Sequence, residues 1–530
     1  MKHLCLAVIL LTAVACGSRQ QQTGPDNAFL QGGRISTSGQ KFVDEKGRQV
    51  ILHGINYVNK DSAARYLFPD SGNAFSDSKA RGFNCIRLGI IWDGIEPQPG
   101  RYDEAYLRNI ERLVQKAADN GLYVVLDMHQ DLFSVLFSDG APRWATLTDG
   151  LPHEKGPIWS DSYFISPAVM KAFDNFWANK PAPDGIGIQD HYANMWKEVS
   201  RRFAGNKTVI GYDIMNEPFN GSQGQQLLQQ MLLKYAELRS KESGSPMDAA
   251  AAFAVWGDET KRMEALDWMR ATERYKTIIH AATEANQAFE KGPLRSMYQK
   301  VVNSIREVDT TAILFLEHPY FSNSGVPSAL ERPLLADGRP DPQIAYAPHG
   351  YDLLVDSKFY SDAGNDRVAY IFSNFSTVSE RLGMPVWVGE WGAFYGSGEG
   401  MAPVGRFIRR VLDNHLFGNA YWSYYEGIGQ QPYYDSVMNR VYTPFTAGDL
   451  VSVSCDSAGK SYTCSWTEKA DGRGTTVIYI PDMQLLADTA VQLTPAGSRY
   501  DLHRSSAGKA GYLVIPATGK AIARSVTISW

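Results

Sequence analysis

Eight short apolar runs separated by stretches of helical periodicity fill residues 50–426. Runs that are apolar throughout are typical of strands covered on both faces of a parallel sheet. The stretch after the second run, residues 103–121, has helical spacing and ends in a glycine that can terminate a helix. Eight strand–helix units close naturally into an α/β fold, the (β/α)8 or TIM barrel, which we expect here. The predicted strands are 50–56, 83–89, 123–129, 209–217, 313–319, 344–351, 386–392 and 419–426.

Most of these runs end in a polar or ionisable side chain. In VIGYDIMNEPF (209–219), Pro218 cannot donate to a sheet ladder, so the strand is expected to end at Glu217. The carboxyl ends of parallel barrel strands meet at one face, where active sites lie. The sequence therefore predicts a ring of side chains around one mouth, formed by Asn56, Arg87, His129, Glu217, His318, His349, Glu390 and Glu426.

Two of these acids suggest catalysis. Glu217 and Glu390 end the fourth and seventh runs, which lie on opposing sides of an eight-stranded barrel. Paired carboxyl groups about 5–5.5 Å apart suit a retaining glycosidase, and a gap of roughly 6.5–9.5 Å suits an inverting one. The sequence leaves both open. A lone strand-end glutamate is more often solvated or salt-bridged, and it is the combination with Arg87 and two histidines that favours an active site.

Neighbouring residues suggest how such a pair would work. Arg87 and Tyr351 can donate hydrogen bonds to an ionised nucleophile, and Asn216 can hold a sugar hydroxyl. Trp422 can stack under a sugar ring. These interpretations require that the strand ends converge in the folded chain.

Two connections are long, and both follow the carboxyl ends of strands. Residues 130–208 are rich in aromatic residues and proline, and residues 220–300 read as inserted helices. Long structured loops at this face usually form binding walls or lids. After residue 440 the pattern changes to short alternating strands, which predict a small β-sandwich over 441–530. The catalytic barrel is expected to span 37–440.

The N-terminus carries an export signal. Residues 1–16 have a basic start, an apolar run too short to span a membrane, and small residues before Cys16. Cys16 lies in a lipobox-like sequence, so both lipidation and ordinary cleavage remain open. Residues 17–36 read as a tether. We expect the chain to be exported, either secreted or lipid-anchored at a bacterial cell surface.

Composition excludes some functions. The formal net charge is −5, without a long basic run, so nucleic acid is not an expected partner. No cysteine or histidine cluster has the spacing of zinc ligands, and we expect neither a metal nor a cofactor. Nothing implies a protein partner, and a monomer is expected. Cys455 and Cys464 flank a hairpin loop, where a disulfide is one of two open possibilities.

The motifs together resemble glycoside hydrolase family 5 over about residues 40–440. The resemblance implies that Glu217 is the acid/base, that Glu390 is the nucleophile, and that the enzyme is active and retaining. The residues that carry the resemblance are Arg87, His129, Asn216, Glu217, His349, Tyr351, Glu390 and Trp422.

Within that family the chain is similar to endoglycoceramidases, in GINYVNK, GLYVVLDMHQDLFS and YDIMNEPF. These enzymes cut the bond between an oligosaccharide and ceramide in a glycosphingolipid and release both intact. The likeness implies sugar-binding roles for Lys60, His129 and Asp131, and places Trp177 on the sugar or the aglycone side.

A lipid substrate needs an apolar groove beside the acids. The aromatic-rich loop at 130–180 and the tyrosine-rich stretch 421–436 are the sequence candidates for it, although sugar stacking or ordinary core packing explains them as well. Two alternatives remain: a β-glucanase or a lipid or sterol β-glucosidase of the same family, and a surface lipoprotein that binds glycans without cutting them.

Overall fold

The fold is described by a computed structural model. It describes residues 19–21, 28–30, 32–69, 73–395, 398–456, 460–470, 472–486, 490–505 and 508–530. The proposed signal and Cys16 lie outside these residues. None of the described helices is both long enough and apolar enough to cross a membrane.

Eight parallel strands form the barrel, as predicted. Seven neighbouring pairs form ladders, and the sixth and seventh strands meet through bridges Tyr346–Val386 and His349–Glu390. Nearly every barrel-strand residue is buried, which explains why the runs are apolar throughout. The first to eighth barrel strands are His53–Tyr57, Cys85–Ile91, Tyr123–His129, Val209–Asp213, Ile313–Leu316, Ile344–Tyr346, Trp387–Gly392 and Gly418–Trp422.

The fourth barrel strand is shorter than the sequence predicts. It ends at Asp213, and the chain then turns before Pro218, with Glu217 in the left-handed region at φ 43°. Gly211 within this strand lets the backbones pack closely, since a Cβ there would lie 2.0 Å from the Ile313 carbonyl oxygen. Glu217 is thus presented by a tight segment beyond the strand rather than by the strand itself.

Helices cover the outside of the barrel. The helix Glu104–Asp119 begins at Asp103, whose side chain accepts from the backbone N–H groups of Ala105 and Tyr106. After the fifth strand the chain forms the 3-10 helix Tyr320–Ser324 and a loop. The α-helices outside the 220–300 segment are Ala74–Ala80, Trp92–Ile95, Glu104–Asp119, Ser162–Ile165, Pro167–Trp177, Ile188–Phe203, Asn365–Leu382, Met401–Asn414 and Pro432–Met438, with Arg295–Arg306 following the fourth strand.

The segment 220–300 is helical, as its sequence suggests. Its first three helices, which we call the insertion helices, are Gln223–Ser243, Ala249–Gly257 and Glu259–Trp268. The helices Thr272–Ile279 and Thr283–Phe289 and the π-helical turn Glu290–Leu294 lead back to the barrel.

The C-terminal region forms two antiparallel sheets around a shared core that includes Trp466, Ile478, Leu513 and Val526. One sheet contains Tyr442–Thr446, Thr475–Ile480, Tyr500–Arg504 and Gly511–Pro516, and the other contains Asp449–Asp456, Ser461–Thr467, Val491–Thr494 and Ala523–Ser529. The predicted combination of a barrel and a C-terminal β-structure is confirmed.

The N-terminal region joins these sheets, which the sequence did not indicate. Ile35–Ser38, Lys41–Asp44 and Gln49–Val50 extend the first sheet, with Gln49–Val50 paired to Tyr442–Thr446. Arg19–Gln21 pairs in parallel with Tyr500–Arg504. Residues assigned above to the tether and to the start of the barrel are therefore strands of the C-terminal sheet. Cys455 and Cys464 are free thiols.

Candidate active site

A single guanidinium group, that of Arg87, lies at the centre of the barrel mouth and is fully buried. Its nitrogens donate to side chains from several strands at distances of 2.7–3.0 Å. Nε donates to Asp213; Nη1 donates to Asn56 and Glu390; Nη2 donates to Asp127, Asn216 and Glu317. The strand ends therefore converge, and Arg87 is the point at which they meet.

The carboxyl groups around Arg87 have too few positive charges near them for all of them to be ionised. Burial raises the pKa of Asp127 to about 6 and that of Asp213 to about 7, although Arg87 opposes both shifts. Burial likewise raises the pKa of Glu317 and of Glu390 to about 8. The acids outnumber the nearby cations, so part of this cluster is protonated at neutral pH.

Glu217 and Glu390 face each other with His349 between them. His349 Nδ1 lies 3.0 Å from Glu217 Oε1 and 3.5 Å from Glu390 Oε2. One oxygen of each carboxylate and a ring nitrogen all lie within 4.8 Å of one another. That separation fits the closer, retaining arrangement rather than the wide, inverting one.

Each of the two glutamates has its own donors. Glu390 accepts from Arg87 at 2.7 Å and from the Tyr351 hydroxyl at 2.9 Å. Glu217 accepts from the Asn323 amide at 2.7 Å, and its own backbone N–H donates to Glu317 at 2.8 Å. Glu390 thus accepts from a guanidinium and a phenol, whereas Glu217 accepts from an amide and, at 3.0 Å, from the His349 imidazole, so the two carboxyl groups have different donor sets.

The imidazole of His349 is the second cation of the site. Burial alone would lower its pKa, but the carboxylates of Glu317, Glu390 and Glu217 outweigh burial and raise the pKa of His349 well above its ordinary value. A protonated His349 donates to Glu217 and partly neutralises Glu390.

Glu217 and Glu390 line a cleft of about 980 Å³, and part of its lining is polar. Lys60 pairs with Asp131 and lies over the Trp422 ring at 4.7 Å. His129 stacks on Trp422, with ring centroids 5.0 Å apart, and its Nδ1 bonds Asp127. The buried Nε2 of His129 finds no partner among the described residues, so it is available to a bound hydroxyl.

Another part of the lining is mainly apolar. The insertion helices supply one wall, and a loop after the sixth strand supplies another, and Glu259, Arg262 and Asp356 are charged residues on these walls. The apolar side chains on these walls are Leu228, Met231, Phe253, Trp256, Met263 and Leu266 from the insertion helices, and Leu353, Leu354, Val355 and Phe359 from the loop. Glu217 and Glu390 line the same cleft.

The origin of the apolar lining agrees with the sequence prediction only in part. The loop at 130–180 lines the cleft, as predicted, with Pro157, Ile158, Trp159, Phe164 and Ile165. The stretch 421–436 contributes only Trp422 and Ser423 to the lining, because Tyr433 and Tyr434 are buried in the core. The insertion helices and the loop after the sixth strand add apolar walls that the sequence did not indicate.

One candidate does not reach the cleft. The described lining of the cleft does not include Trp177, whose indole N–H donates to the Phe219 carbonyl at 2.8 Å. Its ring packs edge-on against Phe176 and Phe289. A tryptophan near the end of a helix satisfies the same sequence pattern whether it faces a ligand or the core.

Other strand-end residues also have different places from those expected. Glu426 is exposed in a turn. His318 bonds Asn323 and the Tyr346 hydroxyl, so it supports Asn323 rather than the cleft. The other candidates, Lys60, His129, Asp131, Asn216, Tyr351 and Trp422, all line the cleft, and Arg87 and His349 lie beneath it.

Four residues of the site were missed. Asp127, Asp213 and Glu317 are acids inside otherwise apolar strand runs, and that mismatch was the available signal because a buried acid needs a cation. Asn323 had no such signal, since it lies in the 3-10 helix after the fifth strand. Asp127, Asp213 and Glu317 also have the geometry of a metal-ligand group, but the Arg87 guanidinium already bonds all three.

Known proteins share these features. The family model described as cellulase, glycosyl hydrolase family 5, matches residues 43–427. Endoglycoceramidase I of Rhodococcus hoagii strain 103S is 24% identical over 474 residues, which cover 87% of this chain and 82% of that protein. An endoglycoceramidase of Cyanea nozakii is 35% identical over 216 residues, which cover 35% of this chain and only 42% of the relative.

Solved structures agree with this similarity. Endo-glycoceramidase II from Rhodococcus sp., solved as a lactosyl-enzyme intermediate, superposes with a TM-score of 0.68 at 26% identity and covers 93% of this chain and 99% of that chain. The same enzyme has been solved in complex with ganglioside GM3, with a TM-score of 0.67.

From the hydrogen bond between Tyr351 and Glu390 we predict how the pH dependence of activity changes when the Tyr351 hydroxyl is removed. Tyr351→Phe removes a donor to the ionised carboxylate, so the pKa of Glu390 rises further. Activity that needs ionised Glu390 is lost as pH falls through that pKa, so the acid limb of the kcat/KM profile moves to higher pH. A bond to a charged group is worth about 1.5–3 kcal/mol, which corresponds to about 1–2 pH units.

The control is Tyr433→Phe, which removes a buried hydroxyl that bonds Tyr421 rather than a carboxylate. We expect its acid limb to coincide with that of the unmodified enzyme. Coincident acid limbs for Tyr351→Phe and the unmodified enzyme would mean that Glu390 ionisation does not limit the rate.

Proposed function

The chain belongs to glycosyl hydrolase family 5, and from that membership and the mixed polar and apolar lining of the cleft we propose that it hydrolyses the bond between the oligosaccharide and the ceramide of a glycosphingolipid. In this proposal Glu217 is the acid/base and Glu390 is the nucleophile. The products are an intact oligosaccharide and ceramide, and the reaction retains the configuration at the anomeric carbon.

The observation that carries the proposal is the position of the acids. They line the same cleft as the polar side chains of Lys60, His129 and Asp131 and the apolar side chains of the insertion helices. A glycolipid has a polar head and an apolar tail joined at one glycosidic bond. A cleft that carries both kinds of side chain beside two acids supports binding of such a molecule with that bond at Glu217 and Glu390.

The donor sets support the assignment of roles. Glu390, bonded by Arg87 and Tyr351, is stabilised as an anion and attacks the anomeric carbon. Glu217 gives its proton to the leaving ceramide oxygen, and then takes a proton from the water that cleaves the glycosyl–Glu390 ester. After both steps Glu217 again holds a proton and Glu390 is again ionised, so the site is regenerated.

The polar part of the lining supports binding of the sugar. The free Nε2 of His129, the Lys60–Asp131 pair and the Asn216 amide offer donors and acceptors to ring hydroxyls. Trp422 offers an aromatic face, as sugars prefer. The relatives are consistent with this substrate class, because they are named endoglycoceramidases and one was solved as a lactosyl-enzyme intermediate, the covalent species that a retaining reaction forms.

The proposal includes export of the enzyme. The basic start, the apolar run and the small residues before Cys16 support it, and a lipid anchor would hold the enzyme beside membrane lipids. Protein isolated from cells would then begin at Cys16 and carry an acyl mass. An N-terminus that retains residues 1–15 would contradict export.

The reaction is tested by digestion and mass spectrometry. Purified enzyme without residues 1–16 is incubated with mixed glycosphingolipid micelles and, separately, with soluble β-glucan. We expect free ceramide and oligosaccharides of unchanged length, with nearly all turnover lost in Glu390→Gln. Glu217→Gln should lose about 10²–10⁴-fold, and much less on an aryl glycoside whose leaving group needs no proton.

Other products would identify a different enzyme. Sugars removed one at a time, or glucan fragments without ceramide, would contradict the proposal and indicate a β-glucosidase or a β-glucanase. Full activity in Glu390→Gln would contradict the assignment of the nucleophile. Binding without cleavage would indicate a glycan-binding protein.

The apolar wall makes a separate prediction. Phe253 lines the cleft on an insertion helix and is 54% exposed, so replacing it need not disturb the fold. Phe253→Ser removes apolar contact with a lipid chain worth about 1 kcal/mol, since only part of the ring is buried. We expect kcat/KM to fall about fivefold on a glycosphingolipid and to stay unchanged on a water-soluble aryl glycoside.

The matched control is Leu233→Ser. Leu233 is 47% exposed on another insertion helix and lies outside the described lining of the cleft. It should leave both rates unchanged. Equal losses for Phe253→Ser on the two substrates would show that the wall does not contact the lipid.

A further inference from the structure

A second, much smaller cavity lies at the opposite end of the barrel. Its volume is about 20 Å³, and it is lined by residues at the starts of the first and eighth strands, by the helix Met401–Asn414 and by the C-terminal sheets. About 10–15 Å³ of such space is enough for one water-sized particle. The cavity therefore accommodates one water molecule or one monatomic ion.

Two arginines line this cavity and have few acceptors. Arg409 is 3% exposed, and within the described parts of the chain its one hydrogen-bond acceptor is His53 Nε2, 3.3 Å from Nη1. Its Nε and Nη2 find no acceptor in the described parts of the chain. Arg440 pairs with Asp413 at 2.5 Å, but its buried Nε also has none there. Among the described residues that line the cavity, Asp413 is thus the one carboxylate beside two guanidinium groups.

The other titratable groups around the cavity do not supply the missing charge. His53 is neutral, because burial lowers its pKa well below the ordinary value and Arg409 lowers it further. Its Nδ1 donates to Asn419, and its Nε2 accepts from Arg409. Burial raises the pKa values of Tyr442 and Tyr462, so both hydroxyls keep their protons.

The surroundings of Arg409 disfavour its positive charge. Burial lowers its pKa to about 9, and the positive charge of Arg440 acts in the same direction. Cys455 acts electrostatically on both arginines, but only a thiolate there would provide a negative charge. Two cations, one carboxylate and a neutral imidazole leave one positive charge in excess.

We propose that this cavity binds one small monovalent anion, chloride in particular, between Arg409 and Arg440. The anion accepts from the guanidinium N–H groups that the protein leaves without acceptors, and it balances the excess charge. Because Arg409 belongs to a barrel helix and Arg440 leads into the C-terminal sheet, the bound ion joins the two regions. The small volume excludes polyatomic anions such as gluconate.

The proposal is tested by unfolding the full chain in sodium chloride and in sodium gluconate at equal ionic strength. A ligand that binds only the folded state multiplies the folding equilibrium constant by 1 + L/Kd, where L is the free ligand concentration. Above the dissociation constant, we expect the folding equilibrium constant to rise about tenfold for each tenfold rise in chloride, and not in gluconate. Crystals soaked in bromide should show an anomalous peak in contact with Arg409.

Two substitutions distinguish anion binding in this cavity from general effects of salt on stability. Arg409→Met should abolish the difference between chloride and gluconate, while the exposed neighbour Arg410→Met should keep it. If Arg409→Met does not fold, the bromide peak and the titration of the unmodified chain decide. Equal stability in the two salts, or a bromide peak absent from this cavity, would overturn the proposal.

Cys455→Ser tests the competing source of charge. With an anion in the cavity, the chloride response of this variant should match that of the unmodified chain. If the response appears only after the thiol is removed, a Cys455 thiolate is the counter-charge and the proposal is wrong.

Discussion

The Arg87 guanidinium is the interaction on which the rest of the catalytic end depends. It is fully buried and bonds four carboxylates and two amides that come from different barrel strands or from the segments after them. A buried cation requires this many partners, and buried acids require the cation. Loss of Arg87 would leave several unpaired carboxyls in the core, so catalysis and stability share one residue.

This arrangement explains why the two glutamates can lie so close together. Glu217 and Glu390 would repel each other if both were ionised without support. Arg87 and a protonated His349 reduce that repulsion. The backbone N–H of Glu217 donates to the Glu317 carboxylate, which fixes the backbone of Glu217 in place. The same contacts hold Glu217 in its left-handed conformation. An acid outside the described lining of the cleft, such as Glu317, therefore still shapes the site.

How much of the structure can be predicted from the sequence depends on how far apart in the chain the interacting residues lie. The eight strands were predicted because apolar runs are a local signal, and Glu217 and Glu390 followed from their places after such runs. Asn323 was missed because its role depends on contacts made only in the folded barrel, whereas Glu317 was missed although an acid inside an apolar run is a local signal. The pairing of Gln49–Val50 with Tyr442–Thr446 is a contact between distant parts of the chain, for which a single sequence holds no signal. The apolar lining was predicted correctly for the loop at 130–180 but not for the insertion helices, because the side that these helices present to the cleft is decided by packing.

The central claim is that Glu217 and Glu390 act as a retaining pair, and the anomer first released tests it most directly. Proton NMR during early hydrolysis of a β-linked glycosphingolipid or aryl β-glycoside distinguishes the two anomers before mutarotation mixes them. One oxygen of Glu217 and one of Glu390 lie within 4.8 Å of each other, so the account predicts the β-anomer first. Initial release of the α-anomer would show inversion through a water molecule and would contradict the assignment of Glu390 as the nucleophile.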